Sequence, residues 1–314
     1  MFFTNPERGR NQYTLAAPVD YSGAGLLGGK RVSMTLLPAA ADRGIRFRRG
    51  DVDFDRSVIE ASWKNVVDTR TCTVLGNDYG TTVSGVEILL AALRGCGVDN
   101  AIVEIDGDEL PLLDGTCATI MSMINRIGLQ RQDLPRLGLW IERPIEARLG
   151  ERYAVLNPST IPRITVNVEF NDPTIEPECL SLEMIDHVFE REVGPARSLG
   201  LAGLVDPFDT DEPGRTGLLD DRIDLGKWRL RYHDEFARYK MLECFGDLAL
   251  SGSAIFGHLF VHQPGHRVTL ALLQALFANR GAWNWLSYDA IHDRIVQDHG
   301  EQALQAKLRS MRPH

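Results

Sequence analysis

The chain has 314 residues, of which 44% are hydrophobic and 25% are charged, a composition typical of globular proteins. That length is sufficient for two domains with separate cores. The net charge of -9 argues against nucleic-acid binding, which requires a basic surface. No apolar run reaches the roughly 18 residues that span a bilayer, and the chain shows no signal-peptide pattern. Five scattered cysteines without CxxC spacing favour a reduced, cytoplasmic protein.

The first half of the chain alternates between strand and helix patterns. Residues 31–37, RVSMTLL, alternate as a half-buried strand does. Residues 81–97 predict a helix, because apolar residues recur there at helical spacing and glycines mark its end. A strand over 100–106 and a second helix over 116–126 follow.

The second half repeats this order. The polar, proline-containing segment 131–136 precedes a new strand over 137–142, and we place a domain boundary after residue 134. Further elements are predicted at 152–156 and 164–170 (strands), 234–250 (helix), 254–262 (strand), 268–279 (helix) and 288–312 (helix). The sequence therefore predicts an α+β fold of two similar layered α/β-sandwich domains, residues 1–134 and 135–314.

Six segments in chain order resemble motifs of one bacterial family, the zinc enzymes that deacetylate UDP-3-O-acyl-N-acetylglucosamine in lipid A synthesis. The most specific are residues 98–115, VDNAIVEIDGDELPLLDG, and residues 234–248, DEFARYKMLECFGDL. The others are GAGLLGGKRV at 23–32, TVSGVEILLAAL at 82–93, ARSLG at 196–200, and Gly257 with the turn PGH at 264–266. The resemblance covers about residues 13–286 and implies a site between two helices that face each other.

The positions that hold zinc in that family carry other residues here. The resemblance aligns its three ligand positions with Ile88, Tyr239 and Glu243, and the histidine of its glycine-rich segment with Leu27. An aliphatic side chain has no lone pair, and a neutral phenol with a pKa near 10 is a poor ligand. Catalytic zinc requires three protein ligands. The sequence therefore predicts no metal and no zinc cofactor.

Histidines elsewhere in the chain do not obviously rebuild a metal site. His258 and His262 lie four positions apart on a predicted strand and face the same side. Strand positions four apart are about 13 Å apart, which is too far to share one ion. We interpret both as surface or pocket-wall residues.

The groups around the lost metal are retained more fully. By resemblance, Glu87 occupies the position of the general base, His266 that of the general acid, and Asp247 that of the carboxylate that orients this histidine. Lys240 matches a substrate-contacting lysine, and Ser198 replaces a threonine that stabilises the oxyanion. These five are candidate catalytic residues. In an equally open structural interpretation of any single residue, Glu87 and Lys240 form an ion pair in the space of the zinc, and Asp247 and His266 form a buried hydrogen-bonded pair.

Three functions remain open at this stage. The first is metal-independent acid–base chemistry on a sugar-, nucleotide- or acyl-type small molecule bound in the inter-domain pocket. The second is a non-catalytic homologue that binds such a ligand, or a protein of the lipid A pathway, as a regulator. The third is true deacetylation through an unusual metal site.

Overall fold

The computed structural model describes residues 9–25, 27–112, 114–169, 176–185, 187–197 and 230–300. In these residues the strands are β1 (Asn11–Leu15), β2 (Val19–Ala24), β3 (Arg31–Pro38), β4 (Ile45–Arg49), β5 (Val58–Glu60), β6 (Val66–Asp68), β7 (Val74–Gly76), β8 (Thr82–Ser84), β9 (Ala101–Ile105), β10 (Leu129–Pro135), β11 (Leu137–Ile141), β12 (Ile145–Leu149), β13 (Arg152–Asn157), β14 (Arg163–Val168), β15 (Glu178–Glu183), β16 (Ala254–Phe256), β17 (His258–His262) and β18 (Trp283–Ser287). The α-helices are α1 (Glu87–Cys96), α2 (Ala118–Ile127), α3 (Glu235–Leu248), α4 (His266–Ala278) and α5 (Tyr288–His299).

Two five-stranded sheets share one topology. The first has the order β2-β3-β9-β4-β5 and the second the order β12-β13-β17-β14-β15. The central strand of each sheet, β9 or β17, is the last of its five strands in chain order. It pairs antiparallel with one neighbour and parallel with the other. A helix precedes that strand and another follows it, α1 and α2 in the first half and α3 and α4 in the second. The predicted α+β fold with two similar layered halves is therefore confirmed.

Helices α1 and α3 pack directly against each other between the two sheets. Gly246 makes this contact possible, because a Cβ atom there would overlap the backbone carbonyl of Glu87. Both helices are largely buried, with Leu89, Leu93 and Leu242 at most 2% exposed. The crossing fixes the first turn of α1 beside the last turns of α3.

Two predicted elements are wrong in their limits. The helix predicted over 81–97 begins only at Glu87, after strand β8. Gly85 has a φ of 74°, which separates the strand from the helix, and the β-branched residues before it favour the strand. The strand predicted over 254–262 is two strands in different sheets, and Gly257 separates them where a Cβ would crowd the carbonyl of Asn157.

The segment at the predicted domain boundary is itself structured. Strand β10 pairs antiparallel with β1, and only Arg136 separates it from β11. Arg136 is 5% exposed, and its guanidinium binds Asp99 with an Nη2–Oδ2 distance of 2.5 Å. The division at residues 134 and 135 stays a prediction.

Other predicted elements match the structure closely. Strands β3, β9, β11, β13 and β14 and helices α2, α3 and α4 lie within a few residues of their expected limits. Helix α5 covers the first part of the predicted closing helix, and residues 301–314 lie outside the described residues. None of the helices in the described ranges has the length and apolar character required to cross a membrane.

Candidate active site

A buried polar cluster lies at the crossing of α1 and α3. Glu87 is the first residue of α1, Glu243 and Asp247 lie one turn apart on α3, and His266 is the first residue of α4. Their exposed fractions are 3%, 7%, 3% and 9%. The fold thus brings together side chains from three helices that are far apart in the sequence.

His266 is oriented by Asp247. Its Nδ1 lies 2.9 Å from Asp247 Oδ2, while its Nε2 lies 3.9 Å from Glu243 Oε1, which is beyond hydrogen-bonding distance. Burial lowers the pKa of His266, but the charges of Asp247, Glu243 and Glu87 outweigh this effect and raise it to about 10. The imidazole is therefore protonated at neutral pH, and its Nε2–H makes no hydrogen bond within the described residues.

Glu87 is a carboxyl group whose pKa is shifted by the same surroundings. Burial raises its pKa to about 7, with the charge of His266 opposing this rise and that of Asp247 adding to it. The cluster contains three carboxyl groups and, with Lys240, two cations, so a proton on Glu87 brings its net charge to zero. A carboxyl group with a pKa near 7 exchanges protons readily at neutral pH.

Thr73 bridges Glu87 and Asp247, a role that no sequence motif indicated. Its Oγ1 donates to Asp247 Oδ1 at 2.6 Å, and its backbone N–H donates to Glu87 Oε2 at 3.3 Å. Thr73 lies just before β7 and is 1% exposed. No spacing rule could have identified it, because its contact with Asp247 joins residues 174 positions apart in the chain.

Lys240 and Tyr239 both engage Glu243, so the ion pair of Lys240 is with this residue and not with Glu87, as the structural interpretation expected. Lys240 Nζ lies 2.9 Å from Glu243 Oε2, and Tyr239 donates a hydrogen bond to the same carboxylate. Burial raises the pKa of Glu243, but Lys240, His266 and the Tyr239 hydrogen bond lower it below the ordinary value. Glu243 is therefore an ionised acceptor whose oxygens are already occupied.

The remaining predicted site residues lie apart from these contacts. Ile88 is 8% exposed and lines a small apolar cleft of about 20 Å³ with Leu89 and Leu110. Leu27 is 40% exposed on a turn whose backbone N–H donates to Glu109, and Gly28 N–H donates to Glu109 at 2.8 Å. Ser198 lies outside the described residues.

Neither the histidines of β17 nor the nearby cysteines add a reactive group. His258 Nε2 lies 2.9 Å from Thr165 Oγ1, and His262 Nδ1 lies 3.0 Å from Asn167 Nδ2, as pocket-wall or surface histidines would. All five cysteines carry free thiols. Burial raises the pKa of Cys244 to about 12, so this thiol is protonated and a poor nucleophile.

Comparison with known proteins identifies the family. The profile described as "UDP-3-O-acyl N-acetylglycosamine deacetylase" (LpxC) matches residues 12–278. The UDP-3-O-acyl-N-acetylglucosamine deacetylase of Idiomarina loihiensis is 35% identical over 287 residues, which cover 88% of this chain and 93% of that protein.

The chain belongs to the UDP-3-O-acyl-N-acetylglucosamine deacetylase family.

Two further relatives extend the match. The deacetylase of Syntrophus aciditrophicus is 33% identical over 93% of this chain and 94% of its own length. That of Vibrio campbellii is 35% identical over 88% of this chain and 93% of its own length. The whole two-domain architecture is therefore shared.

The zinc that the LpxC family implies does not fit the residues at its position. Of the three positions that resemblance assigns to ligands, Ile88 offers no donor atom, and the Tyr239 hydroxyl donates a hydrogen bond to Glu243. Glu243 has its carboxylate engaged by Lys240, a cation that would repel a second one. In the part of the chain that the structure describes, no group of three His, Cys, Asp or Glu side chains is arranged to hold a metal.

Proposed function

We propose that this chain is a metal-independent acid–base enzyme that acts, in the site between α1 and α3, on a sugar-, nucleotide- or acyl-type small molecule. The observation that carries the proposal is His266, whose Nδ1 is held by Asp247 at 2.9 Å while its Nε2–H makes no hydrogen bond in the described residues. The nearest acidic oxygen to Nε2 is Glu243 Oε1 at 3.9 Å, and a ligand that accepts this proton would form a hydrogen bond with a charged donor.

Glu87 and His266 supply complementary halves of a proton transfer. With a pKa of about 7, the Glu87 carboxylate accepts a proton from water or a substrate hydroxyl at neutral pH. With a pKa of about 10, protonated His266 donates through Nε2 to a leaving group or to a developing anion. Asp247 and Thr73 position these two groups, and the charge of Lys240 lies at the same site.

The substrate class follows from the family. The relatives are named for their action on UDP-3-O-acyl-N-acetylglucosamine. We expect a molecule with one or more of these parts, namely a nucleotide, an amino sugar or an acyl chain. Free thiols at all five cysteines are consistent with a cytoplasmic location.

One observation favours a second candidate, a non-catalytic homologue that binds a ligand or a lipid A pathway protein. Most polar atoms of the cluster already pair with one another, and Glu87, Asp247 and His266 are at most 9% exposed. Such internal pairing also suits a structural plug that replaces the metal. This candidate predicts binding without turnover.

The experiment uses the EDTA-treated full chain with two probes, UDP-N-acetylglucosamine and its 3-O-acyl derivative. Turnover is followed by mass spectrometry of the products, and binding by thermal shift, because a ligand of the native state raises the melting temperature. The variants are Glu87→Gln and His266→Gln, with His292→Gln as the matched control, since His292 lies on the exposed face of α5.

The proposal predicts turnover that survives EDTA, falls at least 100-fold in Glu87→Gln and His266→Gln, and is unchanged in His292→Gln. Equal turnover in all variants would overturn it, as would turnover that appears only when zinc is added. Thermal shifts without turnover would replace it with the binding homologue, and neither shift nor turnover would contradict both candidates.

A further inference from the structure

A second pocket opens at the other end of α1 from the polar cluster. Arg94 lies seven residues beyond Glu87, which is about 10 Å along the helix axis. Its walls are apolar and come mostly from the second half of the chain. They include Phe245 and Leu248 of α3, and Met184. None of the candidate catalytic residues lines this pocket.

Arg94 is a half-buried charge among the apolar side chains of this wall. Burial lowers its pKa, which means that the surroundings compensate its charge incompletely. Within the described residues its guanidinium has no hydrogen bond and no ion pair. The carboxylate of Asp99, which could balance it, is held by Arg136 at 2.5 Å and by the backbone N–H of Tyr13 at 2.7 Å. The charge of Asp99 raises the pKa of Arg94, but its oxygen is bound by Arg136.

The other arginine in the wall is already neutralised. Arg163 Nη2 lies 2.6 Å from Glu183 Oε1, and this ion pair is partly exposed. Arg94 is consequently the charged group of the pocket that would gain most from a bound anion, because a charge in an apolar site is costly until it is paired.

The size of the pocket restricts the ligand. Its volume of about 50 Å³ is roughly four times that required by one water molecule. It accommodates a short aliphatic chain of about four carbons and not a long acyl chain. A bidentate contact with a planar carboxylate is the geometry that a guanidinium favours.

We propose that this pocket is a binding site for a short-chain aliphatic carboxylate, with the carboxylate on Arg94 and the chain against Phe245, Leu248 and Met184. The site is independent of the proposed acid–base chemistry, and its occupation requires neither Glu87 nor His266. Phe245 and Leu248 flank Gly246 and Asp247 on α3, so a bound ligand would contact the helix that carries the cluster.

The test is a titration of the full chain with sodium butanoate, observed through ¹³C-labelled methionine methyl groups. The chain has seven methionines, and Met184 lines the pocket. The methyl signal that disappears in the variant Met184→Leu is assigned to Met184. The proposal predicts a saturable shift of the Met184 signal with a dissociation constant on the order of 1 mM, as suits a ligand of six heavy atoms.

Arg94→Gln should weaken butanoate binding at least 10-fold, and Arg94→Lys, which keeps the charge, should weaken it less. Butanamide, a neutral molecule of the same shape, should bind the unaltered chain at least 10-fold more weakly than butanoate. The other methionine signals show whether each variant is folded. A Met184 signal that does not respond to butanoate, or that responds equally in Arg94→Gln or with butanamide, would overturn the proposal.

Discussion

Asp247→Asn isolates the contribution of the buried Asp247–His266 pair. Asparagine keeps the shape and still offers Thr73 an acceptor, but it removes the charge that faces His266 Nδ1 at 2.9 Å. Asp247 is the largest of the groups that raise the pKa of His266, so we expect this pKa to fall from about 10 towards its ordinary value of 6.5.

The pKa of His266 sets an upper bound on the loss of stability. A rise from 6.5 to about 10 corresponds to roughly 5 kcal/mol shared among three carboxylates. Breaking a buried pair by removing one charge typically costs about 3–5 kcal/mol. We therefore expect Asp247→Asn to lower the free energy of unfolding by about 4 kcal/mol at pH 6. Because the folded pKa lies above 6.5, this stabilisation is fully present below pH 6.5 and disappears as the pH rises through about 10.

Urea unfolding at pH 6 and pH 10 measures the effect, and an NMR titration of the imidazole measures the pKa. Asp293→Asn is the matched control, because Asp293 lies 4.0 Å from His292 with 83% of its side chain exposed, and it should cost nothing measurable. A loss for Asp247→Asn that is equal at the two pH values, or a His266 pKa that does not move, would refute the electrostatic account of this pair.

Three further predictions concern the same helix crossing. Burial raises the pKa of Glu87 from 4.5 to about 7, so the unaltered chain loses stability as the pH rises from 4.5 through 7. Glu87→Gln does not titrate, and its free energy of unfolding in urea should therefore gain on the order of 3 kcal/mol relative to the unaltered chain between pH 4.5 and pH 8. No relative gain would contradict the raised pKa. Gly246→Ala should destabilise the chain by about 3 kcal/mol in the same assay, because the added methyl group meets the α1 backbone, and a neutral effect would show that the helices do not cross so closely. The double variant Ile88→His with Tyr239→His should bind one equivalent of zinc by elemental analysis, because it would complete a His2Glu ligand set with Glu243; failure to bind would indicate that these positions do not converge.

The repeated architecture could be predicted from the sequence, because apolar residues at helical spacing, as in residues 86–93, indicate a buried helix from local sequence alone. The start of helix α1 after Gly85 and the break between β16 and β17 at Gly257 could not be predicted from the sequence. Strands β8 and β16 have three residues each. Strand β8 forms a hairpin with β7, and β16 pairs with β11 from a distant part of the chain. Short elements of this kind depend on tertiary pairing more than on local preference.

Some residues of the candidate site could likewise be predicted from the sequence, and others could not. Resemblance to a family supplied Glu87, Asp247 and His266, and the fold brings them together. The bridge through Thr73 and the pairing of Lys240 with Glu243 came only from the structure, because a hydroxyl in a short segment or a lysine on a helix has no distinctive spacing. Arg94 was missed for a related reason, since an arginine in a helical pattern gives no sign that its partner carboxylate is already bound to another residue.

The central claim is that the polar cluster at the crossing of α1 and α3 works without a metal, since the positions aligned with the family's ligands carry Ile88, Tyr239 and Glu243. The zinc-to-protein ratio of the unaltered chain, measured by mass spectrometry after production in zinc-supplemented medium and gel filtration, tests it most directly. The account predicts a ratio well below one tenth, because the donor set offers a single carboxylate that is already paired. A ratio near one zinc per chain would contradict it.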